Sequence, residues 1–110
     1  MNAGSSRGIG KKSINGFVIA SGSTPVVEID TEATAAYVRF SRGKVAKTQP
    51  FGSRDSMVMV DFDARGRVLG IEIVGTQEFS IGKLLENAPV RLSKSTMNRA
   101  RYVTADLVPA

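Results

Sequence analysis

Apolar and polar residues alternate most cleanly between positions 57 and 74. Val58, Val60 and Phe62 recur in steps of two, as do Leu69, Ile71 and Ile73, and Asp63-Ala64-Arg65-Gly66 separates the two runs. A period of two marks a half-buried strand, and a glycine closing a four-residue turn can adopt the left-handed conformation that ends a type I turn. A hairpin from Met57–Asp63 to Arg67–Val74 is therefore expected, with those six side chains on its inner face. Each, if mostly buried, contributes on the order of 1.5–3 kcal/mol, enough to dominate a small domain.

Weaker patterns flank this hairpin. Phe17–Ala20 and Val26–Asp30 read as extended segments joined by Ser21-Gly22-Ser23-Thr24-Pro25, a second hairpin. Asp30 precedes Thr31-Glu32-Ala33-Thr34 and can cap one helical turn, after which Ala36, Val38 and Phe40 alternate with Tyr37 and Arg39. Lys44–Thr48 reads as a further extended stretch, ended or confined to an edge by Pro50. From the N-cap candidate Ser80, Ile81, Leu84 and Leu85 form a helical stripe stopped by Asn87 and Pro89. Val90–Leu92 is extended, Ser93–Val103 reads as a second helix, and Thr104–Ala110 as a loose tail. The expected class is α+β: a small antiparallel sheet of four to five strands in hairpin or meander order, with one or two C-terminal helices on one face. Residues 1–16, rich in Gly, Ser and Lys, read as a flexible arm before a single domain over 17–110.

Composition narrows the chemistry. The chain has neither cysteine nor histidine, which removes disulfides, thiolate nucleophiles, Cys- or His-based metal sites and every Ser-His pairing. No catalytic, metal-binding or cofactor-binding residues are assigned, and the expectation is a protein that is not an enzyme. The longest early apolar run, Phe17-Val18-Ile19-Ala20, falls far short of the ~20 residues of a membrane span, so no membrane role and a cytoplasmic location are expected. The net charge of +5 resides in the flanks. Residues 26–75 balance Arg39, Arg42, Lys44, Lys47, Arg54, Arg65 and Arg67 against Glu28, Asp30, Glu32, Asp55, Asp61, Asp63 and Glu72. A nucleic-acid role would fall to the flanking Lys11, Lys12, Arg91, Lys94, Arg99 and Arg101, whereas scattered flank charge ordinarily marks a solvated surface.

The stretch Asp30-Thr-Glu-Ala-Thr-Ala-Ala-Tyr37-Val-Arg-Phe-Ser41-Arg-Gly-Lys44-Val-Ala-Lys-Thr48, followed by Val60-Asp-Phe-Asp63-Ala-Arg-Gly66-Arg-Val-Leu-Gly70-Ile-Glu72-Ile73, resembles the bacterial family called domain of unknown function 2283. The likeness runs over roughly 26–86 and into Glu78–Leu85, with departures at Thr34, Ala36 and Ser56. It implies a small sheet with a helix, in bacteria and their phages, without assigned chemistry. It also implies an antitoxin-like or regulatory role beside a small neighbouring protein.

Three motifs carry a chemical suggestion. Gly4-Ser-Ser-Arg-Gly8-Ile-Gly10-Lys has the spacing of a dinucleotide loop, but such a loop must follow a strand and open a helix, and only three residues precede it. Asp61, Asp63, Arg65, Gly66 and Glu72 fall on positions of a calcium loop, but arginine at a ligand position repels the cation and the flanks alternate like strands. Asp61 and Glu72 form a candidate carboxylate pair, with Arg39 or Arg67 as counter-charge. Tyr37, Arg39, Met57 and Met59 on one sheet face would make a partner-binding patch, unless the second helix or the arm covers it. The candidate binding face is thus Tyr37, Arg39, Asp61 and Glu72. A protein-binding or assembly module that forms a homo-oligomer of two or more copies is the leading expectation. Nucleic-acid binding by the flanks and a small-ligand or hydrolytic site on the polar face are the alternatives.

Overall fold

The structure is a computed structural model and describes residues 16–53 and 56–104. Ten elements follow in order: β1 (Phe17–Val18), β2 (Val26–Asp30), β3 (Ala35–Arg39), β4 (Lys47–Ser53), β5 (Ser56–Phe62), β6 (Val68–Val74), α1 (Ile81–Leu84), β7 (Val90–Arg91), α2 (Lys94–Asn98) and β8 (Arg101–Thr104). Six strands make one sheet in the order β4-β5-β6-β3-β2-β8, and β1 pairs with β7 in a separate parallel ribbon. All pairings from β4 to β2 are antiparallel, and β8 joins β2 in parallel. Among the described residues no helix is long and apolar enough to cross a membrane.

The expected central hairpin forms. β5 and β6 pair with Val58 opposite Ile73 and Val60 opposite Ile71, and all of these are buried. The turn closes as its sequence predicts: Gly66 donates to the Asp63 carbonyl at 3.0 Å and takes a φ of 81°. One detail differs. The register shifts between Asp61 and Phe62, so Phe62 faces Val68 and Leu69 becomes the extra residue of a bulge. All six expected core side chains are buried, but Val68 rather than Leu69 joins the main cluster. Leu69 instead uses its carbonyl to hold Phe40 and Ser41, whose N–H groups donate to it at 2.8 and 3.1 Å.

The sheet's apolar face is covered by short elements. Ile81, Leu84 and Leu85 from the α1 region join Ile19, Val90 and the sheet's Val27, Ala36, Val38 and Phe40 in one cluster. Asp30 caps the turn before β3 as expected, accepting from the Ala33 N–H at 3.0 Å.

Four expectations are corrected. The sheet has six strands and is mixed, not a four- to five-stranded antiparallel one, because Arg101–Thr104 is a strand rather than the end of a helix. Ser93 does start α2, its hydroxyl accepting from Thr96 N–H at 3.1 Å, but the helix ends at Asn98. Beyond it the aromatic and β-branched Tyr102-Val103-Thr104 suit a strand, and the open side of β2 offers a ladder that a helix would leave unpaired. Phe17–Val18 does not form a hairpin with β2; it lies beside β7, its Phe17 N–H donating to the Pro89 carbonyl at 2.7 Å. β4 begins at Lys47 and runs through Pro50 to Ser53, which an edge strand tolerates because one lost N–H there costs no interior ladder. The arm expected over 1–16 lies outside the described residues up to 15, as does the tail over 105–110.

Candidate functional site

The register arranges the polar face in rows that run across the strands. One row passes through Arg101, Val26, Arg39, Gly70, Asp61 and Thr48. The next passes through Val103, Glu28, Tyr37, Glu72, Met59 and Pro50. Tyr37, Arg39, Asp61 and Glu72 therefore share one face on neighbouring rows, a consequence of the period-two geometry of each strand.

Tyr37 is the centre of the arrangement. Its ring lies over Gly70, so that a Cβ there would overlap the phenol, and its hydroxyl reaches across β6 to donate to Asp61 Oδ2 at 2.8 Å. The Thr48 hydroxyl donates to the other Asp61 oxygen at 2.6 Å. Burial, and after it the hydrogen bond and charge of Asp61, push the Tyr37 phenol above its ordinary value. Arg39 stacks its guanidinium 5.2 Å from the Tyr37 ring centre and bonds Glu28 at 3.1 Å.

Tyr37, Asp61, Thr48, Arg39 and Glu28 thus satisfy one another, whereas Glu72 stands exposed beside them. A phenol raised in this direction stays neutral and is neither a nucleophile nor a base near pH 7. The Arg39 charge is matched by Glu28, not by Asp61 or Glu72. Asp61 and Glu72 share the face but sit two residues out of register, Asp61 opposite Gly70 and Glu72 opposite Met59. Arg67, the other expected counter-charge, bonds Asp63 at 2.9 Å instead. Asp63 also accepts from the Arg65 and Arg67 N–H groups, each at 2.9 Å. The Arg67 N–H bond first, and the Arg67 and Arg65 donors after it, hold that carboxyl below the usual carboxylate range. The calcium-like spacing is thus occupied by a hairpin turn with an arginine-filled acidic residue.

Thr48, Glu28 and Gly70 are the participants the sequence reading missed. Thr48 enters because the β4–β5 register sets it opposite Asp61. An isolated glycine in an otherwise apolar strand was the available signal for Gly70, since it often marks a close approach. Neither helix covers this face: the buried residues of α1 and the half-buried Met97 of α2 pack with the apolar cluster on the other side. Met57 and Val74, opposite each other, remain exposed at 58% and 38%.

Of the basic flank residues, Arg91 stands in β7, Lys94 in α2 and Arg101 in β8. Lys11, Lys12 and the glycine motif at 4–10 lie outside the described residues. Arg99 donates to the carbonyls of Ser21 and, at 3.2 Å, Ser23, tying that turn to α2. A cleft of about 470 Å³ between β1 and the 63–67 turn is lined by Phe17, Phe40, Leu69, Arg42 and Arg67.

Residues 27–76 match the sequence model of a family described as "Protein of unknown function (DUF2283)". Those residues are a DUF2283 domain. Almost all of β2 and the whole of β3–β6 fall inside the match, so the DUF2283 segment is the antiparallel part of the sheet. α1, the β1–β7 ribbon, α2 and β8 lie outside it. No curated protein and no solved structure matches the chain.

Proposed function

We propose that the protein is a non-enzymatic assembly module that binds through the edge of its sheet, in the first instance to a second copy of itself. The observation that carries this reading is the inequality of the two edges. β4 has Pro50 at its middle, a residue without an N–H, and begins with a lysine, both devices that discourage a further strand. β8, at the opposite edge, also begins with a cation, Arg101, but has no proline, and no described residue pairs with its outer side. The polar face supports the same reading from the chemical side. Asp61 and Glu28 are engaged by the Tyr37 phenol, the Thr48 hydroxyl and the Arg39 guanidinium, and Glu72 beside them is exposed. A small neighbouring protein of the kind an antitoxin-like or regulatory role requires would use the same edge by strand addition.

Light scattering on the full chain across a concentration series tests the proposal. The expected result is a mass that rises from 11.7 kDa toward about twice that value as concentration increases. A mass that stays monomeric to high micromolar concentration refutes it.

A further inference from the structure

Resting on the edge-assembly reading, we propose that two copies join through their β8 strands, antiparallel about a two-fold axis that passes beside Val103. The direction of the backbone groups supplies the first step. The Arg101 N–H donates to the Pro25 carbonyl at 2.9 Å, so Arg101 and, two residues on, Val103 direct their backbone groups toward β2. Tyr102 and Thr104 alternate with them and present N–H and C=O to the outer edge.

Symmetry supplies the second step. Two-fold pairing that keeps the polar faces of both sheets on one side must place a residue of β8 opposite its own copy. Arg101 at the axis brings two guanidinium groups together. Tyr102 at the axis sets Thr104 against Ala100 of the other copy, whose N–H is already donated to the Met97 carbonyl at 3.1 Å. With Val103 at the axis, Tyr102 and Thr104 face each other across the junction in both directions. Every outward N–H and C=O of β8 beyond Arg101 then meets a partner, giving four hydrogen bonds and setting the two Val103 side chains together on the polar face. Tyr102, 48% exposed and held by the Ile81 N–H donating to its hydroxyl at 2.9 Å, gains cover from Thr104 of the second copy. The product is one continuous sheet of twelve strands whose outer edges are both β4, each with Pro50.

Two variants of the full chain test the register. Thr104→Pro removes an outward donor and leaves the ladder to β2 intact, reproducing at this edge the device Pro50 supplies at the other. It is expected to weaken association about tenfold or more while keeping the circular dichroism spectrum of the parent. Val103→Cys introduces a lone thiol into a chain that has none, at a non-hydrogen-bonded pair whose Cα spacing suits a disulfide. Air oxidation is expected to link it into dimers, whereas Lys47→Cys on the β4 edge does not link. A strictly monomeric parent overturns both this register and the self-association reading. A parent dimer that survives Thr104→Pro, or that Val103→Cys fails to cross-link, overturns the register alone. Should Thr104→Pro fail to fold, the cross-linking result decides.

Discussion

Replacing Gly70 by alanine reverses its effect on stability according to whether Tyr37 is present. Gly70 is buried in a central strand and does not take a left-handed φ, so the backbone itself accepts a side chain. The obstacle is Tyr37: an added Cβ would overlap Oη, Cζ and Cε2 of the phenol ring. The ring must lift, and the 2.8 Å bond to Asp61 is lost. A hydrogen bond to a charged acceptor is worth about 1.5–3 kcal/mol, the lower half applying at this half-buried position. Against it, alanine gains about 0.5–1 kcal/mol over glycine in a strand, because less backbone freedom is lost on folding. Gly70→Ala alone is therefore expected to destabilise by about 1 kcal/mol. In a Tyr37→Ala background the collision is absent, and the same change is expected to stabilise by about 0.5–1 kcal/mol. Urea unfolding of the four proteins in the cycle, followed by circular dichroism, measures the coupling directly. An equal effect of Gly70→Ala in both backgrounds would refute the placement of the Tyr37 ring over the strand.

Two pH-dependent outcomes follow from the same contacts. Asp63 titrates below its unfolded value of about 3.9, so its contribution is present above that pH and lost as pH falls through the folded value. Asp63→Asn is expected to flatten the acid side of a melting-temperature profile, and parallel profiles for variant and parent would contradict the turn geometry. Tyr37 has the opposite sign: its folded value is raised above about 10, so its contribution is present below that pH and lost as the solution becomes more alkaline. In a Tyr102→Phe variant, where Tyr37 is the only tyrosine, phenolate absorbance is expected to grow only together with loss of the sheet signal. Phenolate forming near pH 10 in a folded sheet would count against its burial and its bond to Asp61.

The polar-face candidates were legible to the extent that strand parity determines which side chains share a face. Tyr37, Arg39, Asp61 and Glu72 were grouped on that basis, and the rows of the sheet bring them together. Their partners were not legible, because pairing depends on the register between neighbouring strands, which alternation within each strand leaves open. Glu28 reaches Arg39 across one hairpin, and Thr48 reaches Asp61 through the register of β4 on β5. A one-residue bulge at Leu69, invisible in a pattern of apolar residues, exchanged it for Val68 in the core cluster.

Sequence alone determined the central hairpin, its turn and the apolar face of the sheet, since each depends on alternation and turn chemistry within about twenty residues. It also determined an inventory without cysteine or histidine. Only the tertiary structure decided that β8 is a strand and that β1 lies beside β7. Segments of two to four residues have too little local pattern to choose a conformation. For Arg101–Thr104 the choice was made by the unpaired backbone of β2, more than seventy positions away, which a strand satisfies and a helix does not.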